Sequence, residues 1–158
     1  MDSGKQTFEA ESLDALTARV GEELAVSDWL PVTQERINRF AEVTGDLQWI
    51  HIDTERARRE SPYGTTIAHG YLTLSLLPGL SQGCITVHGT RMAVNYGLNR
   101  VRFMAPVRVD DRIRARFTLH SVEALPDGGA QVIWQALVEV EGSGKPACVA
   151  EMVSRRYT

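Results

Sequence analysis

Two short stretches of the chain hold the residue types able to do chemistry. The first is Thr44-Gly45-Asp46-Leu47-Gln48-Trp49-Ile50-His51-Ile52-Asp53, with an acid and a histidine five positions apart. On an unbroken helix, residues at i and i+5 point about 140° apart and cannot meet one substrate. Gly45 supplies a helix stop just before Asp46, so the segment from Asp46 to His51 can form an arc with both side chains inward. A carboxylate and an imidazole sharing one water form an acid–base pair able to work near neutral pH. The same residues have a plainer reading, an Asp that forms a turn and a structurally satisfied His, and spacing alone does not separate the two.

The second stretch is Gly64-Thr65-Thr66-Ile67-Ala68-His69-Gly70. It leads into an apolar segment, so the Gly70 N–H falls at a helix start, where free N–H groups and the positive dipole end suit an oxyanion or enolate. The missing Cβ lets a ligand come close. A loop glycine before a core helix is the alternative. Elsewhere the signals are thinner. His51-Ile52-Asp53 could be part of a metal site, but no second His pair stands at ligand spacing, so no metal is expected. Without a GxSxG, GxGxxG or phosphate-loop motif, Ser61 and Ser75 are not obvious nucleophiles. Arg112, Arg114 and Arg116 make one strand face, read as solvated, with coenzyme A phosphates as the alternative. His88 and His120 have no partner the sequence can name.

The elements that must position these residues are legible. Residues 1–20 read as a polar, mildly helical extension (Glu9 to Arg19) docked on the surface, and residues 21–32 as a strand closed by Pro31. A helix from Thr33 to about Thr44 follows, with Thr33 as its cap and Val32 and Ile37 placed as a hydrophobic staple. Ile37, Phe40, Ala41 and Thr44 form its buried stripe. Residues 46–68 read as irregular, with one helical turn at Thr54–Arg59. A second helix runs from His69–Gly70 towards Gly79; it is apolar nearly all round, hence buried on several sides, and Pro78 must kink or end it. After residue 84 the pattern is strand. Arg91–Tyr96 and Leu98–Met104 flank an expected bulge at Gly97, and Arg112–Glu123 and Gln131–Glu141 flank a Pro126-Asp127-Gly128-Gly129 hairpin. Gly142-Ser143-Gly144 then turns the chain into Pro146–Tyr157. A buried helix followed by about four antiparallel strands gives an α+β domain, a sheet wrapped around a helix.

With 158 residues the chain has the length of one domain, read as 1–158. A formal charge of -3 argues against nucleic acid as the main partner. There is no apolar run long enough for a membrane span and no apolar segment of signal-peptide type at the start, so a cytoplasmic location is expected. Cys84 and Cys148 read as reduced thiols.

Taken together, Asp46, His51 and the Thr66–Gly70 entry resemble the hydratase motif of the MaoC-like family, the (R)-specific 2-enoyl-CoA hydratases. Asn95-Tyr96-Gly97-Leu98-Asn99 with Val101-Arg102-Phe103-Met104-Ala105-Pro106-Val107 resembles a strand and turn of that family. The resemblance spans about residues 21–157 and looks closest to the nodulation protein N-like branch of single-domain 3-hydroxyacyl-thioester dehydratases. It implies a hot-dog fold, an acyl-CoA or acyl-carrier-protein thioester substrate, no cofactor, and a homodimer whose sheets join edge to edge. It also implies Asp46 and His51 as the acid–base pair, Gly70 N–H as the enolate donor, and Gln48, Trp49 and His69 beside the substrate. Two positions depart from the pattern. Gln48-Trp49 stands where many members have Asn-Pro, and Pro78 stands where several hydratases carry a serine bonded to the acid, with Ser75 as a substitute. A thioesterase on the same fold and a non-catalytic acyl-CoA-binding accessory subunit remain as rivals.

Overall fold

The computed structural model describes residues 4–158. In chain order the elements are β1 (Phe8–Ala10), α1 (Leu13–Leu16), β2 (Glu23–Val26), β3 (Leu30–Pro31), α2 (Gln34–Thr44), α3 (Trp49–Ile52), α4 (Thr54–Glu60), α5 (Gly70–Ser75) and α6 (Leu77–Gln82). Then come β4 (Ile85–Val87), β5 (Met92–Phe103), β6 (Arg112–Ala124), β7 (Ala130–Val140) and β8 (Cys148–Tyr157). The main sheet has the order β2-β6-β7-β8-β5, with β3 also pairing β6, and every pairing within it is antiparallel. β6 buries Ile113, Ala115, Phe117 and Leu119, and β7 buries Val132, Trp134, Ala136, Val138 and Val140, the alternation expected of strands with one face on the core. α5 and α6 cover that face through Leu72, Leu77 and Leu80. This is the α+β hot-dog arrangement.

α2 forms as the sequence predicts. The Thr33 hydroxyl accepts from Arg36 N, Val32 and Ile37 are both fully buried, and Gly45 closes the helix at φ 77°. Its stripe is narrower than expected, because Thr44 is exposed and Phe40 only partly buried. The hairpin at Gly128-Gly129 and the bulge at Gly97, where the β5–β8 register skips between Asn95 and Gly97, are also where expected.

Four expectations change. The predicted strand 21–32 is interrupted between β2 and β3, where Ser27 Oγ accepts from Ala115 N. The N-terminal segment does not merely dock. β1 pairs in parallel with β4, and Leu13 and Leu16 are buried in the core, so helix is confined to a Ser12-capped turn and a 3-10 turn after it. The helix after His69 does not stop near Gly79. It breaks at Leu76 and resumes through Gln82 with Pro78 in its first turn, where a missing N–H costs nothing. The Arg112/Arg114/Arg116 face is not simply solvated. Arg114 is buried, pairs with Glu139 at 2.6 Å and lies over the Trp29 ring, while Arg116 bridges Glu139 and Glu23. Burial works to raise the Glu139 carboxyl, but the hydrogen bonds from Arg114 and Arg116 outweigh it and hold it below its ordinary value. Cys84 and Cys148 are free and buried, and burial pushes both thiols up to about 11.

Candidate active site

The αL turn at Gly45 ends α2 and turns the chain so that Asp46 leaves the helix axis. Three residues later α3 begins, and it carries His51 into the interior at 6% exposure. The 66–69 segment lies against it. Ile67 N donates to Ile50 O at 3.1 Å, and His51 Nδ1 lies 2.7 Å from Ile67 O. On its other side the segment is fixed by Ala68 N to Val107 O and Val109 N to Thr66 O. The two chemically informative stretches are thus stitched together by backbone, not merely neighbouring.

Ile67 O can only accept, so His51 Nδ1 must carry the proton, and Nε2 is left with its lone pair in the neutral ring. Burial lowers the His51 pKa; the bond to Ile67 O and the Asp46 charge oppose the shift, and His69 adds to it, leaving the net below the ordinary value. His51 therefore stays neutral, and available as a base, at lower pH than a free histidine.

His69 is buried at 2% exposure, and its ring stacks on His51 at 3.8 Å with 23° between planes. Its Nε2 donates to the backbone carbonyl of Asp46 at 3.0 Å, and its other ring nitrogen has no partner among the described residues. Phe40 from α2 packs against the same ring, with centroids 5.0 Å apart. One ring thus touches both members of the proposed acid–base pair. The Asp46 carboxylate and one nitrogen each of His51 and His69 all lie within 4.8 Å of one another, Asp46 on the exposed side. Such a trio can ligate a metal in principle. Stacked rings aim their lone pairs within nearly parallel planes, however, which does not converge them on one ion.

The other predicted residues lie outside this trio. Gly70 opens α5, and a Cβ there would come within 2.9 Å of the Phe103 ring, so the glycine is required by packing as well as by any ligand. Gln48 is exposed and contributes a backbone N–H towards Asp46 Oδ1 at 3.5 Å. Trp49 stacks under Arg56, 4.3 Å away, and makes no ring contact with the His pair. Ser75 makes no hydrogen bond to Asp46; it lines a cavity beneath α5. His88 pairs with Glu9 on the surface.

Sequence reasoning missed Gln34. Its amide donates to His51 O at 2.7 Å and its carbonyl accepts from the buried Thr66 hydroxyl at 2.5 Å, so one side chain clamps α3 to the 66–69 segment. A Gln in the first turn of a helix carries no signal of such a distant partner.

The chain matches the MaoC like domain over residues 15–133. It is 54% identical over 145 residues to 3-hydroxyacyl-thioester dehydratase Z of Mycobacterium tuberculosis, covering 92% of this chain and 95% of that one. It is 42% identical over 144 residues to nodulation protein N of Rhizobium leguminosarum bv. viciae, covering 90% and 89%. The fold is shared with the unliganded R-hydratase PhaJ1 of Pseudomonas aeruginosa, with a TM-score of 0.73 at 21% identity over 98% of this chain and 88% of that one.

Proposed function

The chain belongs to the MaoC-like domain family, and from that premise we propose that it reversibly hydrates trans-2-enoyl-CoA or enoyl-acyl-carrier-protein thioesters to (R)-3-hydroxyacyl thioesters. The observation that carries the reading is the fixed tautomer of His51, which leaves Nε2 bare on a ring with one nitrogen within 4.8 Å of the Asp46 carboxylate. In hydration, Nε2 takes a proton from the water as its oxygen attacks C3. The imidazolium so formed returns a proton to C2 of the enolate. Asp46, as a carboxylate, accepts the second water proton in a hydrogen bond and offsets the imidazolium charge. Dehydration is the same path reversed. The enolate oxygen would be met by Gly70 N–H in the first turn of α5. No metal or redox group is needed, because the thioester carbonyl already acidifies C2.

His69 serves as a positioning residue in this scheme, fixing the Asp46 backbone and the plane of His51. The working unit is a cytoplasmic homodimer. β5 is an edge strand, and Met92, Val94, Tyr96, Leu98 and Phe103 along it are all more than 40% exposed, an apolar edge of the kind proteins cover. Pairing of two β5 strands would bury it and extend the sheet across both protomers.

The decisive experiment follows loss of enoyl absorbance and chirality of the product on a crotonyl-to-dodecenoyl CoA series, with free thiol measured in parallel. An (R)-3-hydroxy product without thiol release is expected. Thiol release would make the protein a thioesterase, and binding without turnover would make it an accessory subunit.

A further inference from the structure

The helix that carries His51 cannot hold itself. α3 is four residues long, and no side chain caps its first turn. A single turn is not stable alone in water, and its last carbonyls must find partners outside the helix. Ile50 O receives Ile67 N at 3.1 Å, and His51 O receives the Gln34 side-chain amide at 2.7 Å. α3 is therefore held from outside at two successive carbonyls, one by the 66–69 segment and one by α2.

The Gln34 amide has only one orientation that satisfies its neighbours. His51 O can only accept, so the Gln34 atom facing it is the nitrogen, whose second N–H goes to Asn38 Oδ1 at 2.9 Å. The amide oxygen then faces Thr66, which is 1% exposed and whose hydroxyl donates to it at 2.5 Å. Both donors and the acceptor are thus committed. The side chain stands on a firm base, the first position of an 11-residue helix capped by Thr33 and closed by Gly45.

The consequence reaches the reacting nitrogen. Thr66 precedes Ile67, and Ile67 O keeps the His51 proton on Nδ1, 2.7 Å away. One end of the Gln34 amide holds the backbone of His51, and the other holds the residue beside that carbonyl. The contact between ring and carbonyl is thereby set from α2. Which nitrogen of a neutral imidazole is protonated follows from the hydrogen bond made to it. If the contact lengthens, the proton is shared between Nδ1 and Nε2, and Nε2 is bare for only part of the time.

We infer that Gln34, acting with Thr66, is a positioning residue for the reaction, holding His51 in the tautomer that leaves Nε2 bare. The effect on rate rests on the dehydratase reading above; the effect on the tautomer does not.

The test uses the purified full chain with Gln34→Met, Thr66→Val and the two combined. Met keeps the length of Gln without its donors and acceptor, and Val keeps the shape of Thr without the hydroxyl. kcat and KM are measured on crotonyl-CoA. Ring-nitrogen NMR spectra of histidine-labelled protein are taken at a pH where His51 is neutral, with His51→Ala to identify its signals. Wild type should show His51 protonated at Nδ1 alone. Each single variant should show both tautomers, with kcat lower by roughly 10- to 100-fold and KM little changed, the cost of a reacting group displaced by up to about 1 Å. The double variant should be no slower than Gln34→Met, because the two bonds serve one contact. Thr66→Ser, which keeps the hydroxyl, should retain both the wild-type spectrum and the rate. A merely structural clamp would lower the melting temperature alone. Native kcat and a pure Nδ1–H signal in a variant of lowered melting temperature therefore overturn the inference, as do losses that multiply in the double variant. Should Gln34→Met fail to fold, Thr66→Val against Thr66→Ser decides by the same two readouts. If wild type turns over no enoyl thioester, the dehydratase reading fails, and the ring spectra still decide the positioning role, with identical spectra in wild type and Thr66→Val refuting it.

Discussion

His69→Gln separates a positioning residue from a catalytic one. The substitution removes the imidazole stacked on His51 and the Nε2–H bond to Asp46 O. An aromatic pair contributes about 0.5–1.5 kcal/mol beyond its buried area, and a net hydrogen bond about 0.5–1.5 kcal/mol. The sum is about 1–3 kcal/mol, and a chain of this size loses roughly 2–4 °C of Tm per kcal/mol, so a fall of several degrees is expected. The chemistry should suffer indirectly. Asp46 and His51 would each drift, and a misplacement of about 1 Å costs up to about 10²-fold in rate. A purely structural role would not move the pH profile, but this one should. His69 is one of the groups lowering the His51 pKa, so the acid limb of kcat/KM should move upward in the variant. The assay is a melting curve beside kcat and KM across pH. A native Tm with activity abolished would place His69 among the groups touching substrate. Unchanged Tm, rate and pH profile together would refute the positioning role outright.

Asp46→Asn and His51→Ala should each lower turnover by about 10²–10⁴-fold, and the double variant little further, because both act on one water; a single variant keeping a third of the rate contradicts the pairing. The acid limb of wild-type kcat/KM should lie below the ordinary histidine value of about 6.5, because burial lowers the His51 pKa. Since the folded state then binds fewer protons than the unfolded, the stability His51 contributes is complete above about 6.5 and is lost as pH falls towards the folded pKa, which denaturant midpoints across pH would reveal. Gly70→Ala should cost about 10²–10³ in rate, and because the new Cβ meets Phe103 first, Phe103→Leu should restore its Tm but not its rate; full recovery of rate would remove Gly70 from the thioester carbonyl. Glu139→Gln leaves the buried Arg114 without its 2.6 Å carboxylate, and the loss should fall at or under the lower end of the ~3–5 kcal/mol of a broken buried pair, since Glu139 is 28% exposed; a loss under ~0.5 kcal/mol would mean that pair is idle.

Local signals were legible where the cause was local. Thr33, Gly45 and the Val32/Ile37 staple define α2 because caps and staples act within one turn, and each is found in its place. The strand alternation in β6 and β7 was legible for the same reason, as period two needs no distant partner. Two of the errors lie where a distant partner decides. Phe8–Ala10 has no strong strand signal and pairs only because β4 offers a parallel edge. Arg114 read as a solvated cation because nothing in the sequence said Glu139 and Trp29 would close over it.

The same division runs through the candidate site. Asp46, His51 and Gly70 were visible as residue types at suggestive spacings. What the spacing could not supply is the proton location, and that is decided by Ile67 O. Nor could it supply rigidity, which comes from Gln34 reaching both His51 O and Thr66 across the gap between α2 and the 66–69 segment. An imidazole without a fixed tautomer can offer its lone pair at either nitrogen. Held by a carbonyl on Nδ1, stacked on a second ring and desolvated, His51 offers it at Nε2 alone. That converts a weak sequence signal into a geometry in which the proton is taken and returned at one atom, and the choice of atom is a property of hydrogen bonds made by residues that carry no motif.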